Sequence, residues 1–193
     1  MKRADHSTTS SFQRRTARGI FASLLLLLAG SSVLNAADNS DVETQLKAAF
    51  IYNFARFVDW PPRPVPGPVR IGILGSGELA APLREVIRGK MVDGRSIEVT
   101  NISSVADAEH FEILLIERSE LKHIREIVQS LAGKPVLTVC DEGNCFRDGA
   151  MIAFQVVDES VRFQISQESA EQVGLKISSQ LLKVALPPAG KHR

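Results

Sequence analysis

Only two cysteines, one tryptophan, one tyrosine and four histidines occur in this chain of 193 residues. A single cysteine pair is too few for a disulfide scaffold, so the fold must rest on an apolar core. A structural zinc site needs about four Cys or His ligands. His6 and His192 lie near the two ends, and a whole strand pattern separates His110 from His123. Neither a metal centre nor a nucleophile triad is legible, and no catalytic residue or cofactor is assigned. The formal charge of +1 leaves no basic surplus for nucleic acid or an anionic membrane surface. No apolar run reaches the roughly 20 residues that cross a bilayer, so no direct membrane insertion is expected.

The N-terminus has a definite layout. Lys2, Arg3, Arg14, Arg15 and Arg18 face one acid, Asp5; the apolar run IFASLLLLLA (20–29) follows, then the small and polar GSSVLNAA. Basic, apolar and small segments in that order predict a secretory signal peptide over residues 1–36, with cleavage after Ala36 or Ala37. The leader holds five basic residues and one acid, so its removal takes the charge from +1 to −3. Residues 37–193 make one ordinary domain in an oxidising space, with its core at about 41–186 and a disordered tail over 187–193.

Alternating strand and helix patterns set the fold class. Ser40-Asp-Val-Glu43 is a capping box opening a helix to about Val58, with Val42, Leu46, Ala49, Phe50, Phe54 and Phe57 on one face. Pro61, Pro62, Pro64, Pro66 and Pro68 then form a stiff connector. VRIGILG (69–75), RSIEVTNI (95–102), FEILLIE (111–117) and PVLTV (135–139) read as strands, the helices between them being Leu79 to Ile87, a short one capped by Ser104, and Glu120 to Leu131 capped by Ser119. Strands apolar on both sides point to a largely parallel sheet covered on both faces. MIAFQVV and VRFQI, joined at Asp158-Glu159-Ser160, add a C-terminal antiparallel hairpin. ESAEQVG then LKISSQLLKVAL read as helix broken at Gly174. The class is α/β: a single domain, a mixed, largely parallel sheet, helices on both faces.

Gly75-Ser-Gly77-Glu-Leu-Ala80 matches the G-x-G-x-x-G/A fingerprint that lets backbone amides approach a pyrophosphate. The next strand offers no acid at its end, only Glu98 in mid-strand and Asn101, and Pro82 removes an amide. A plain glycine turn is the better reading. Small-anion binding by Gly75, Ser76 and Gly77 is the residual one, and an enzyme or ligand receptor built on this turn is the rival function.

VLTVCDEGNCF carries both cysteines, Cys140 and Cys145. The spacing is not C-x-x-C, and the preceding element is a strand instead of the helix N-terminus that activates a redox thiol. In an exported chain a Cys140–Cys145 disulfide is expected, with two independent core thiols, metal ligands and a redox pair as the alternatives. Closing so short a loop stabilises by about 2 kcal/mol, enough for a local clamp.

Four separated stretches, KAAFIYNFARFVDWP (47–61), GKPVLTVCDEGNCF (133–146), GAMIAFQVVDESVRFQI (149–165) and GLKISSQLLKVA (174–185), together resemble the YfiR-like family of exported bacterial proteins. The resemblance implies a non-enzymatic periplasmic regulator. Such a protein represses an inner-membrane diguanylate cyclase through its periplasmic sensing domain, and an outer-membrane OmpA-like lipoprotein relieves the repression. Cyclic-di-GMP and biofilm formation follow. It also implies a loop disulfide where Cys140 and Cys145 fall, while a further pair of the best-known member is missing here. Other members accompany sensor kinases or receptors, so the alternative role is a periplasmic small-ligand-binding sensor component for a membrane kinase or receptor. A homodimer is a further arrangement that the sequence leaves open. Phe57 and Trp60, at the end of the first helix, are the partner-binding candidates, against the plainer reading that they close the core.

Overall fold

VRIGIL, ILLI and LTVC are too uniformly apolar to face water on either side, and they become the buried centre of a sheet. The computed structural model describes residues 31–62 and 67–187. The predicted leader up to residue 30, connector residues 63–66 (with Pro64 and Pro66) and the tail from 188 lie outside the described residues. Among the described residues no helix is long and apolar enough to cross a membrane.

Helix α1, Ser31–Phe57, is followed by β1 (Val58–Asp59), β2 (Val69–Leu74), α2 (Ala80–Ile87), β3 (Met91–Val92) and β4 (Arg95–Ile102). After a 3-10 helix, Val105–His110, come β5 (Ile113–Ile116), a second 3-10 helix (Arg118–His123) and α3 (Ile124–Ser130). Then β6 (Leu137–Cys140), a 3-10 turn (Gly143–Phe146), β7 (Ile152–Val157), β8 (Ser160–Ile165), α4 (Gln167–Gln172), β9 (Lys176–Ile177) and α5 (Ser179–Val184) complete the body, a compact unit that begins at Val42.

Seven strands form one sheet in the order β3-β4-β2-β5-β6-β7-β8. The run from β4 to β7 is parallel, and antiparallel strands β3 and β8 close its two ends. The expected hairpin is β7–β8, turned by Asp158 and Glu159, both at positive φ. Its two-residue loop matches the strand twist. One face of the sheet packs on α1, α2 and the C-terminal helices. A cluster of Phe50, Phe54, Phe154 and Phe163 sits there, with ring centroids 5.0 Å apart for Phe50–Phe163 and 5.1 Å for Phe54–Phe163. The other face packs on the 3-10 segments, α3 and both cysteines. Helical elements therefore cover both faces, as the continuous apolar strands required.

Several local expectations are corrected. Helix α1 starts at Ser31, so Ser40 is inside it and its box does not open the helix; Leu34, Ala36 and Ala37 are good helix formers that carry the helix past the cap. Ser119 caps nothing: that segment is a 3-10 helix whose cap residue is Glu117. Lys176–Ile177, read as helix, is instead β9, paired antiparallel with β1 in a separate two-stranded sheet (Val58↔Ile177, Asp59↔Lys176). Two-residue strands carry no periodicity, so only the tertiary pairing reveals them.

Candidate functional site

Strand β5 is bracketed by two buried acids, Glu112 before it and Glu117 after it, both at most 2 % exposed. Each carboxylate organises one end of the sheet.

At the C-terminal end, Glu117 fills the glycine turn. Its Oε2 accepts from the Ser76 hydroxyl at 3.1 Å and from the Gly77 N–H, and its Oε1 accepts from the Leu79 N–H at 3.0 Å. The Ser119 hydroxyl oxygen accepts from the Ser76 N–H at 3.1 Å, which is what that serine does in place of capping. Gly75 (φ +137°) admits the carboxylate because it has no side chain, since a Cβ there would lie 2.7 Å from the Glu117 Cβ; Gly77 (φ +82°) supplies the left-handed turn, and a Cβ there would lie 2.7 Å from the Asn101 Nδ2. Strand order reverses between β2 and β5, the crevice in which open α/β sheets bind ligands. Here the donors of Ser76, Gly77 and Leu79 are taken by the protein's own anion. The small-anion candidates Gly75, Ser76 and Gly77 are brought together, but around Glu117, and an external anion would have to displace a buried carboxylate. The sequence signal was the acid ending FEILLIE.

At the N-terminal end, Glu112 accepts from Arg95 Nη2 at 2.6 Å and from the Arg70 N–H at 2.8 Å. Arg95 also donates to the carbonyls of Gly67 (2.6 Å) and Pro68 (2.8 Å), tying the end of the connector to the sheet. The Trp60 indole N–H donates to the Glu112 carbonyl at 2.9 Å. Phe57 and Trp60 are both half-buried and pack against the larger core cluster, and the Phe57 carbonyl accepts from the Ser178 N–H at 2.9 Å. Both partner candidates are thus held by the fold. Trp60 also lines a hollow of about 310 Å3 with Ala55, Val69, Val92, Arg95 and Glu112.

The cysteines close the third feature. Cys140 ends β6 and bonds Cys145 in the 3-10 turn, with Cα atoms 6.4 Å apart; both are buried. The parallel crossover from β6 to β7 is eleven residues, Asp141 to Met151, where about a dozen or more is usual. A turn and a disulfide replace the usual crossover helix. Lys47 of α1 reaches this loop, pairing with Asp141 and Glu43 at 2.6 Å each. Burial alone opposes the charge on Lys47, but the two carboxylates together hold its pKa above the ordinary 10.5. Burial raises Asp141 above its ordinary 3.8, against the pull of Lys47. The Lys47 direction bears on the pair, because a lysine facing two carboxylates keeps its proton whichever of them ionises first. Beside the pair opens a groove of about 460 Å3, lined by Arg118, Glu142, Phe146, Arg147 and Phe154 among others. Among the described residues no cluster of three or more His, Cys, Asp or Glu could hold a metal ion.

A family model described as YfiR/HmsC-like matches residues 44–186. A comparison with curated proteins gives no match. Among solved structures, a conserved domain protein from Vibrio cholerae O1 biovar El Tor is similar, at 13% identity and a TM-score of 0.51 over 72% of this chain. This chain spans 58% of that one, and at such identity the likeness is one of fold alone. An ABC domain in complex with L-Trp from Streptococcus pneumonia aligns at 12% identity and a TM-score of 0.45, over 60% of this chain and 53% of that one.

Proposed function

The chain belongs to the YfiR/HmsC-like family, and from that membership we propose that it is an exported periplasmic regulator. Its activity is binding: it represses an inner-membrane diguanylate cyclase through the periplasmic part of that enzyme, lowering cyclic-di-GMP and biofilm formation. An outer-membrane OmpA-like lipoprotein is the expected antagonist. The observation that carries the reading is the family match across residues 44–186, nearly the whole described body.

Two features of the molecule support it. The bonded pair Cys140–Cys145 suits an oxidising compartment, where such bonds persist. The fingerprint turn at Gly75, on which the enzyme reading depended, already holds Glu117, so its amides are engaged. The test is direct: the purified exported protein is added to membranes of its own organism that contain a diguanylate cyclase with a periplasmic segment, and conversion of GTP to cyclic-di-GMP is followed. Falling turnover with rising protein is the expected result, and turnover indifferent to the protein would overturn the reading.

A further inference from the structure

Strand β4 is eight residues long, yet β3 covers only its first two. The hairpin turns at Asp93 and Gly94, both at positive φ, and pairs Val92↔Arg95 and Met91↔Ser96 before the chain leads back through Lys90 to α2. On its other side β4 is paired with β2 from Ile97 to Ile102. Among the described residues nothing pairs with the outer side of β4 beyond Ser96, which leaves a sheet edge of six residues, Ile97 to Ile102, without a strand partner.

The edge has a determinable pattern. Arg84 Nη2 donates to the Val99 carbonyl at 3.3 Å, so that carbonyl points away from β2. The N–H and C=O of one residue point to the same side, and successive residues alternate. Ile97, Val99 and Asn101 therefore present donors and acceptors outward. Natural edges are blunted by charge or proline; here Arg84 covers one carbonyl only. Along this edge, between β4 and the C-terminal end of α2, runs an open groove lined by Ile87, Ile97 and Val99 with Arg84, Arg88 and Lys90 at its rim, and Glu98 is its one acid. All three cations are exposed; Arg88 is paired with the exposed Glu85, and Lys90 Nζ lies 4.5 Å from the Tyr52 ring centroid.

We propose that this edge is a docking site for an extended acidic segment of a partner protein, which adds as a strand beside β4 and sets its carboxylates against Arg84, Arg88 and Lys90. Main-chain hydrogen bonds to Ile97, Val99 and Asn101 supply affinity, and the basic rim supplies specificity. A second copy of this chain is disfavoured: antiparallel pairing about Val99 would bring two basic rims together, and like charges repel across such a pair. The proposal rests on the regulatory reading above and gives it a surface and a partner chemistry.

The test uses the purified exported protein and a fluorescent, end-blocked peptide of alternating valine and glutamate, with lysine replacing glutamate in the control. The acidic peptide is expected to bind at least about tenfold more tightly than the control, with the gap narrowing in high salt. Val99→Pro removes one outward N–H that the fold does not use, so folding is retained while binding falls about tenfold or more. Arg84→Glu with Arg88→Glu, both exposed, should give the same loss with only a small fall in melting temperature, because an exposed hydrogen bond to Val99 and an exposed pair with Glu85 go with them. Equal binding of the two peptides, or full affinity in Val99→Pro, would overturn the proposal. A wild-type dimer that Val99→Pro converts to monomer would overturn it in favour of a second copy. If the peptide fails while the protein still represses the cyclase, the edge is retired and the regulatory reading stands.

Discussion

Glu117 stands where an external phosphate would sit in a dinucleotide-binding sheet, and the missing side chain of Gly75 lets it in. Replacing Glu117 by Gln removes the charge and turns an NH2 group toward amide donors. Donors left poorly matched around this buried side chain cost about 2 kcal/mol, read as a lower denaturant midpoint. Gly77→Ala should cost at least about 1 kcal/mol, because φ is +82° and the new Cβ meets Asn101. Wild-type stability in both variants would contradict this account of the turn. Lys47 is the second residue on which a measurement bears. Lys47→Met leaves Asp141 half-buried without its partner, an expected loss of about 2 kcal/mol after allowing for its partial exposure. Because the folded pKa of Lys47 is raised, its contribution is complete below the ordinary 10.5 and is lost as pH climbs through the raised value. The gap between wild type and Lys47→Met should therefore be steady from neutral to about pH 10 and close above it; a gap that widens with alkali would show the sign to be wrong.

At the scale of elements, the short crossover from β6 to β7 is held by sulfur instead of by a helix. Cys140→Ser with Cys145→Ser should lower stability by about 2 kcal/mol, the entropy of so small a loop, and leave the protein folded. Loss of folding would give the bond a larger role than a clamp. Which elements could be read from the sequence follows from the range of the forces that make them. VRIGIL, ILLI and LTVC announce themselves by composition, and the β7–β8 hairpin by two runs joined at a turn. The cysteine pairing was legible once spacing and compartment were combined. The β1–β9 pair was not, since Val58 and Ile177 are joined only by tertiary contact. Nor was the destination of Glu117: the strand-ending acid was visible, but not the turn forty residues earlier that it enters. Ser119 misled for the same reason, its hydroxyl answering Ser76 across the sheet instead of the helix beside it.

At the scale of the whole molecule, the parts fit the binding role proposed above. One sheet is covered on both faces, its ligand crevice holds a carboxylate of its own, its single disulfide clamps a loop, and one edge is left open beside a basic rim. Phe57 and Trp60, proposed from sequence as partner anchors, are tied into this body by the β1–β9 pairing and the Glu112 carbonyl. On the reading proposed above, such a body acts on a membrane enzyme from the periplasmic side. The measurement that tests this most directly is the cellular cyclic-di-GMP level with the gene deleted, and with it restored in full or without residues 1–36. The account predicts a rise on deletion that only the full chain reverses; an unchanged level, or rescue by the leaderless chain, would contradict it.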